Sequence, residues 1–406
     1  MRWLIFIVAY ILVDLYAFQA FKTVVKNQWL HYLWLALSVA VLINFIYQIS
    51  TKDQSAGLGT GFMYGFGIFL AFFVSKLVLL LVMFGEDIVR FFVAAGRSIF
   101  VRSESFSIPD RRKFLSTVAL GLAAIPFASL LYGMYKGKYR YRVLKYQLEF
   151  DDLPEAFDGY TITQVSDIHS GSFDNHEKVA YGVDLINEQK SDVILFTGDL
   201  VNNMATEMHD YKDLFSSLSA KDGVYSVLGN HDYGDYVEWD SAEAKEKNLQ
   251  DLIQLEREMG WDILLNENRT INRGEEKIHL VGVENWGAGF KQKGDLDLAT
   301  GTLGAEDFTI LMSHDPSHWE EKVKNDARNY QLTLSGHTHG MQFGIEISGF
   351  LKWSPVQYRY KNWAGIYNEG KRMINVNRGF GYLAYPGRVG IWPEITVIEL
   401  KKKVEA

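Results

Sequence analysis

The sequence contains the stretch Val224-Tyr-Ser-Val-Leu-Gly-Asn-His-Asp232. In it, an apolar run is followed directly by a glycine and three polar residues. A short apolar run of this kind is typical of a buried strand, and ligands of open α/β sheets bind just beyond the carboxyl ends of the strands. Gly229 permits a tight turn there and lets the backbone approach a ligand closely. The stretch therefore predicts a buried strand that ends at a binding site.

Four other apolar runs end in the same way, each in a small residue followed by a carboxylate or an imidazole. The polar residues are Asp167 and His169, Asp199, His314, and His337 with His339. Within each pair two residues apart, an extended backbone points both side chains to one side. A single such residue is most often part of a turn or of the surface. Five of the ten histidines nevertheless follow predicted strands, and these oxygen and nitrogen donors suit a pair of divalent transition ions.

The alternation of short β-branched runs with amphipathic stretches predicts an α/β domain. The predicted strands are Thr161–Val165, Val193–Thr197, Val224–Leu228, Ile278–Val283, Thr309–Met312, Gln331–Leu334, Ile374–Val376 and Ile395–Leu400. The predicted helices between them are Glu177–Gln189 and Ser241–Met259. The α/β domain, of about 250 residues, is short enough to fold around a single large core.

The ordered set Asp-x-His, Gly-Asp, Gly-Asn-His-Asp, His and Gly-His-x-His resembles the calcineurin-like metallophosphoesterases over about residues 155–402. The resemblance is best to a bacterial membrane-associated branch with a twin-arginine-like or transmembrane N-terminus, which the late segment Asn377–Gly381 also resembles. It implies a four-layer α/β-β/α sandwich and two divalent metal ions, with Mn, Fe or Zn expected. Asn202 departs from the pattern, because the family often has Asp there.

The resemblance also implies a role for each motif residue. Asp167, His169 and His339 would hold one metal ion, Asn230, His314 and His337 would hold the other, and Asp199 would bridge both. His231 matches the catalytic histidine, which acts on the substrate. The implied activity is hydrolysis of a phosphomonoester or phosphodiester by hydroxide that the two metals activate.

The first 135 residues hold four apolar stretches of about the length that a helix needs to cross a bilayer, with Trp and Tyr near their ends. The predicted spans are Trp3–Phe21, Trp29–Ile49, Phe62–Phe84 and Phe114–Tyr132. Asp14 and Lys76 lie inside spans and either pair with each other or are accommodated separately. We expect a membrane domain over 1–135, a linker over 136–150 and the phosphoesterase domain over 151–406.

Lys and Arg are almost evenly divided between the two sides of these spans, so the count alone sets no orientation. Asp110-Arg111-Arg112-Lys113-Phe114-Leu115 resembles a twin-arginine export signal, although it lies inside the chain and an ordinary basic flank has the same appearance. On the export interpretation, we expect a multi-pass protein of the bacterial inner membrane whose catalytic domain lies outside the cytoplasm.

The composition excludes several classes. A net charge of -8 argues against a dedicated nucleic-acid binder, and the absence of Cys excludes a disulfide framework, a thiolate metal site and a cysteine nucleophile. A rival function is a catalytically degenerate metal-binding sensor domain on a membrane module, but every expected ligand is present. A transporter is a second rival, and four spans with two internal charges make a poor translocation path.

The segment Phe350–Trp363 interleaves aromatic residues with Lys352, Arg359 and Lys361. This mixture suits a membrane interface and predicts a lip that guides a phospholipid or a lipid-linked nucleotide to the metals. The alternative is that its apolar residues form strands and core. The expected partners are thus a phosphate-ester substrate and a membrane.

Overall fold

The computed structural model describes residues 2–100, 109–347 and 349–403, and the other residues of the expected ranges 1–135 and 151–406 lie outside these. The chain divides into two compact units. The first comprises Met1–Lys52 and Gly61–Tyr135, and the second comprises Asp53–Thr60 and Lys136–Ala406. The short segment Asp53–Thr60 therefore packs with the second unit, although it connects two helices of the first.

Long apolar helices form the first unit. They are α1 (Arg2–Val24), α2 (Gln28–Ser50), α3 (Thr60–Phe100) and α4 (Pro109–Tyr135). Each contains a stretch long and apolar enough to cross a bilayer. Large apolar side chains such as Leu81 and Phe91 are exposed on them, as a lipid-facing surface requires. The chain is a multi-pass membrane protein.

Asp14 and Lys76 pair with each other inside this unit, with 2.7 Å between Oδ1 and Nζ. The indole Nε1–H of Trp34 also donates to Asp14, and Lys76 donates to the hydroxyl oxygens of Tyr10 and Ser38. Both charges are buried. The pairing alternative is correct, and it satisfies two charges that would be costly in lipid if left alone.

Two six-stranded sheets form the second unit within the described residues. The first sheet has the order β1-β14-β2-β3-β4-β5, in which β2 to β5 are mutually parallel. Its strands are β1 (Arg142–Phe150), β2 (Thr161–Val165), β3 (Val193–Phe196), β4 (Val224–Ser226), β5 (Asp262–Ile263) and β14 (Glu394–Lys402).

The second sheet has the order β12-β13-β9-β8-β7-β6, with β13, β9, β8 and β7 parallel. Its strands are β6 (Glu267–Arg273), β7 (Glu276–Gly282), β8 (Thr309–Met312), β9 (Leu332–Ser335), β12 (Gly365–Glu369) and β13 (Arg372–Val376). A separate antiparallel hairpin consists of β10 (Ile345–Ile347) and β11 (Leu351–Trp353).

Helices cover the outer face of each sheet. Those on the first sheet are α5 (His176–Asn187), α6 (Lys212–Ser216) and α7 (Ala242–Glu258), and those on the second are α8 (Leu296–Thr300) and α9 (Pro316–Glu321). A third apolar cluster lies between the sheets, where Ile162 and Leu195 pack with Ile310 and Leu332. The predicted four-layer α/β-β/α sandwich, preceded by four apolar helices, is confirmed.

Part of the expected linker 136–150 has regular structure. Residues Arg142–Phe150 form β1, which pairs in parallel with β14 near the other end of the chain. Only Leu148 and Phe150 of this strand are fully buried, so the sequence shows too little alternation to predict it. Its pairing depends on a partner about 250 residues away, which no local pattern reveals.

Candidate metal centre

The carboxyl ends of five strands converge on one site. The strands β2, β3 and β4 lead to Asp167 and His169, to Asp199, and to Asn230 with His231, whereas β8 and β9 of the other sheet lead to His314 and to His337 with His339. The structure therefore brings all eight predicted site residues together. They are buried or half-buried, because the carboxyl ends of strands from both sheets meet at this site.

The first group consists of Asp167, His169 and His339. Nε2 of His169 lies 3.0 Å from Nε2 of His339, and the latter lies 3.2 Å from Oδ1 of Asp167. One donor atom from each residue falls within 4.8 Å of the other two. Three donors that converge in this way could hold one metal ion.

The second group consists of Asp199, His314 and His337, whose donor atoms also lie within 4.8 Å of one another. Nδ1 of His337 is 3.3 Å from Nε2 of His314 and 2.8 Å from Oδ1 of Asn230. The amide oxygen of Asn230 is thus a fourth potential ligand of this group.

The donor set fits transition ions. In each group two imidazole nitrogens lie at about hydrogen-bond distance, so a cation could be shared by the two rings once both are neutral. Imidazole and carboxylate together suit Zn, Mn and Fe, which agrees with the absence of sulfur ligands.

Neighbouring groups fix which nitrogen of His314 and which nitrogen of His337 faces inward. Nδ1–H of His314 donates to the carbonyl oxygen of Thr197 at 2.7 Å, which leaves Nε2 for a metal. In His337 the roles are reversed, since Nε2 lies 2.8 Å from the hydroxyl of Tyr360 and 3.4 Å from Oδ2 of Asp315. Such outer partners orient metal ligands and raise their basicity.

The protonation states follow from burial and from Asp199. Burial lowers the pKa of His169 and of His337, so both rings stay neutral, as ligands must be. Burial also disfavours charge on His314, but the adjacent carboxylate of Asp199 outweighs it and raises that pKa to about 10. An anionic Asp199 thus faces a cationic His314, and a bound metal ion would replace the proton on Nε2 of that histidine.

The backbone at the site is strained. Five of the eight residues have positive φ angles without being glycine, namely Asp167, His169, Asp199, His337 and His339, with φ between 49° and 72°. Non-glycine residues adopt this region at a cost and cluster at functional sites when the surrounding structure imposes it.

His231 lies beside the two groups. Its Nδ1 bonds the carbonyl oxygen of Asn202 at 2.8 Å, and its backbone N–H donates to Oδ1 of Asp199 at 2.9 Å. The ring packs edge-on to that of His169, with centroids 4.9 Å apart. The bond to Asn202 therefore occupies Nδ1 and leaves Nε2 as the other ring nitrogen of His231.

Sequence reasoning assigned no role to several supporting residues. Asp232 accepts four backbone N–H groups, from Asp199, Leu200, Val201 and Gly229, and so ties two ligand-bearing loops together. Its place directly after the Gly-Asn-His motif was a signal that could have found it.

No local signal could have found Arg388 or Tyr360. Arg388 is fully buried, donates to the carbonyl oxygens of Gly379 and Gly381, and places Nη2 3.1 Å from Nδ1 of His339. Tyr360 reaches His337 from a segment 23 residues further along the chain. Both contacts exist only because distant segments fold over the site.

Comparison with known proteins places this geometry in a family. Residues 160–341 match the family model described as calcineurin-like phosphoesterase, and residues 1–138 match that described as probable calcineurin-like phosphoesterase, transmembrane domain. The uncharacterized metallophosphoesterase YkuE of Bacillus subtilis is 30% identical over 298 residues, which cover 72% of this chain and 98% of YkuE. The chain belongs to the calcineurin-like metallophosphoesterases.

Other members of the family extend the likeness to animals. A transmembrane protein with metallophosphoesterase domain from Danio rerio is 27% identical over 281 residues, covering 67% of this chain and 60% of that protein. Among solved structures, the phosphopantetheinyl hydrolase of Mycobacterium tuberculosis shares 12% identity with a TM-score of 0.34, covering 54% of this chain and 89% of that one.

Family membership establishes the reaction class. The calcineurin-like phosphoesterase domain makes this chain a hydrolase that acts on phosphate esters, and the preceding transmembrane domain makes it a membrane metallophosphoesterase. The structure contains two groups of Asp and His side chains that could hold divalent metal ions, which such domains normally bind.

Proposed function

We propose that this chain is a membrane-anchored phosphoesterase that works with two divalent metal ions. The observation that supports this most directly is that Asp199, which belongs to the second group of donors, also lies 3.6 Å from Nε2 of His169 in the first. The proposed ligands are Asp167, His169 and His339 for one ion, Asn230, His314 and His337 for the other, and Asp199 for both.

When bound, two such ions generate a nucleophile from water at neutral pH and neutralise charge on phosphate oxygens. The imidazole-rich donor set favours Mn, Fe or Zn. Residues of the chain supply the geometry, since Thr197 and Tyr360 fix the inward nitrogens of His314 and His337. Preorganised ligands of this kind leave little reorganisation for the reaction itself.

His231 is the proposed catalytic residue. Its bond to the carbonyl of Asn202 keeps Nδ1 protonated and presents Nε2 beside the first group. Once Nε2 is also protonated, the ring can donate a hydrogen bond from Nε2 to a phosphate oxygen or pass that proton to the leaving group. Burial lowers its pKa, and the Asp199 carboxylate works against that shift.

The substrate class that we propose is a phosphorylated lipid or a lipid-linked nucleotide. The hairpin β10–β11 follows His339 by only five residues, and its apolar side chains Ile345, Ile347 and Leu351 are exposed. Phe350 at its turn is 83% exposed and Tyr358 is 81% exposed. Contiguous exposed apolar groups mark interaction sites, and a protein with four membrane spans always has a bilayer within reach.

The expected lip therefore has a narrower extent than Phe350–Trp363. Trp363 is only 4% exposed and packs with Val356 and Ile391, so it belongs to the core. Trp353 is half-buried against Phe343. Phe350 and Tyr358 are the aromatic residues of this segment that remain available to lipid.

For the orientation, we propose that the catalytic unit lies outside the cytoplasm of a bacterial cell. The support is the segment Asp110–Leu115, which resembles a twin-arginine export signal and precedes the fourth span. The span that follows would then lead the chain outward.

The test is hydrolysis by the purified full-length chain in detergent. The metal-free protein is reloaded with Mn, Fe or Zn and assayed with p-nitrophenyl phosphate, bis-p-nitrophenyl phosphate and a panel of phospholipids. Hydrolysis that depends on metal and is lost in His231→Gln supports the proposal. Binding of two ions without turnover on any of these esters would instead favour the sensor alternative.

A further inference from the structure

The segment Asp53–Thr60, which connects α2 and α3, is part of the unit that carries the metal centre. The carbonyl oxygen of Gln54 accepts the backbone N–H of Glu238 at 3.0 Å. Gly57 is buried and has a φ of +74°, a conformation that side-chain-bearing residues rarely adopt. A connection between two membrane helices is thus folded into the catalytic unit at a defined point.

The residues that Gly57 meets belong to two loops beside the site. A Cβ atom at Gly57 would lie 3.4 Å from Nδ2 of Asn203 and 3.6 Å from Cγ1 of Val237. Branched side chains at this position would push into both. Gly59 is two residues away, has no such φ and would meet no atom within 4 Å.

Asn203 and Val237 lead directly to Tyr236. The backbone N–H of Tyr236 donates to Oδ1 of Asn203 at 3.2 Å. The ring of Tyr236 lies against that of His231, with centroids 4.4 Å apart, and its hydroxyl accepts from Nδ2 of Asn230 at 2.7 Å. Two residues of the metal centre therefore touch one tyrosine.

We propose that the segment 53–58 forms an outer wall of the metal centre and holds Tyr236 in place, so that Tyr236 positions Asn230 and His231. The inference deepens the proposed function and rests on the roles assigned there to these two residues. Tyr236 is a positioning residue, since it acts through its two neighbours.

The carboxamide of Asn230 shows what this positioning achieves. An amide has a donor end and an acceptor end, and its orientation follows from the partners of each. The hydroxyl oxygen of Tyr236 accepts a hydrogen bond from Nδ2 of Asn230. Oδ1 of Asn230 therefore faces Nδ1 of His337 and the second ligand group. Without that hydroxyl the amide is free to rotate, and the second metal loses an oxygen ligand.

This arrangement also gives the membrane part a role beyond anchoring. A single helix would be enough to anchor the catalytic unit in the membrane. The segment 53–60, however, is the connection between α2 and α3, so a protein with a single-helix anchor would lack it. A fragment that begins at residue 136 therefore lacks one wall of its own active site.

The experiment compares Gly57→Val with the matched control Gly59→Val in the full-length protein. With p-nitrophenyl phosphate as the probe, we expect Gly57→Val to lower kcat by about 10²-fold, the scale of a misplacement of about 1 Å. KM and the first metal should change little, and the second metal should dissociate more easily in a chelator titration. Gly59→Val should match the wild type.

A double-mutant cycle shows whether the effect passes through Tyr236. Tyr236→Ala alone should also lower kcat, and adding Gly57→Val should lower it no further, because coupled residues are not additive. Tyr236→Phe should keep the ring contact with His231 while weakening the second metal. If Gly57→Val prevents folding, Gly57→Ala provides the smaller perturbation for the same cycle.

Equal kcat for Gly57→Val and Gly59→Val, or effects that multiply in the double mutant, would overturn the inference. Failure of the proposed function would look different. In that case the wild type itself would release no nitrophenol with any metal, or His231→Gln would keep the full rate.

Discussion

Oδ2 of Asp199 lies 3.1 Å from Nε2 of His314, which makes this carboxylate part of the second ligand group. The same oxygen lies 3.6 Å from Nε2 of His169 in the first group, and Oδ1 accepts the backbone N–H of His231. One side chain thus touches both ligand groups and the candidate catalytic residue. Its removal should affect all three.

Asp199→Ala is expected to lose both metal ions. In the proposed assignment this carboxylate is a ligand of both ions, so neither ion would keep its full ligand set. Elemental analysis of the purified protein should give about two ions per chain for the wild type and well under one for the variant. Asp210→Ala, which removes an exposed carboxylate in the same unit, should keep both. Full metal content and activity in Asp199→Ala would contradict the shared-carboxylate assignment.

His231→Gln should keep its metals and lose most of its turnover. The ring donates no atom to either ligand group, and general acid catalysis is typically worth about 10²–10⁴-fold. Steady-state kinetics and metal analysis on the same preparation measure both. His209→Gln, at an exposed position, is the control. Loss of metal, or a wild-type rate, would show that His231 has another role.

Glu256 should make the catalytic unit less stable as the pH rises. Burial raises the pKa of this α7 carboxyl to about 8 from its ordinary 4.5, so the folded state holds a proton that the unfolded state has released between those values. The contribution of Glu256 to the free energy of unfolding should therefore be highest below pH 4.5, fall up to about pH 8 and level off above it. Glu256→Gln should make the fall shallower.

The measurement is the Tm of the catalytic unit in the full-length protein from pH 5 to 8.5. Glu258→Gln is the matched control, since this neighbour on α7 is exposed and its pKa is lowered by a hydrogen bond from Lys212. The control should keep the slope of the wild type. An unchanged slope in Glu256→Gln would mean that this carboxyl is ionised in the folded protein.

Phe350→Ser with Tyr358→Ser should slow hydrolysis of a phosphorylated lipid in vesicles. Both rings are almost fully exposed, so their loss removes lipid contact without opening the core. A soluble aryl phosphate should be hydrolysed as before. Tyr181→Ser removes an exposed ring from α5 and should change neither rate. An equal loss on both substrates would exclude the lipid-contact role of the hairpin.

A reporter fused after Ala406 should be active outside the cytoplasm of a bacterial host. The basic cluster at Arg111 and Arg112 precedes the last span, and Arg111→Ala with Arg112→Ala should reduce correct placement. Alkaline phosphatase and green fluorescent protein fusions distinguish the two sides. Activity only in the cytoplasm would reverse the orientation and restrict the substrate to that compartment.

Much of this protein could be predicted from short stretches of its sequence. The four spans follow from the length of apolar runs, and a residue such as Asp199 follows from a buried strand that ends in a polar turn. These features depend on residues that are neighbours along the chain, so a short stretch of sequence is enough to predict them. The grouping of the eight site residues needed the family resemblance in addition.

The tertiary structure alone decided how these residues are held. Four contacts join segments that are distant in the sequence. They are the pairing of β1 with β14, the contact of Tyr360 with His337, the burial of Arg388 behind His339 and the packing of Gly57 beside Asn203. No short stretch of sequence predicts such contacts, because each depends on how the whole chain between the two partners folds. The sequence determined which side chains reach the end of each strand, and folding determined which nitrogen, oxygen or ring each of them meets.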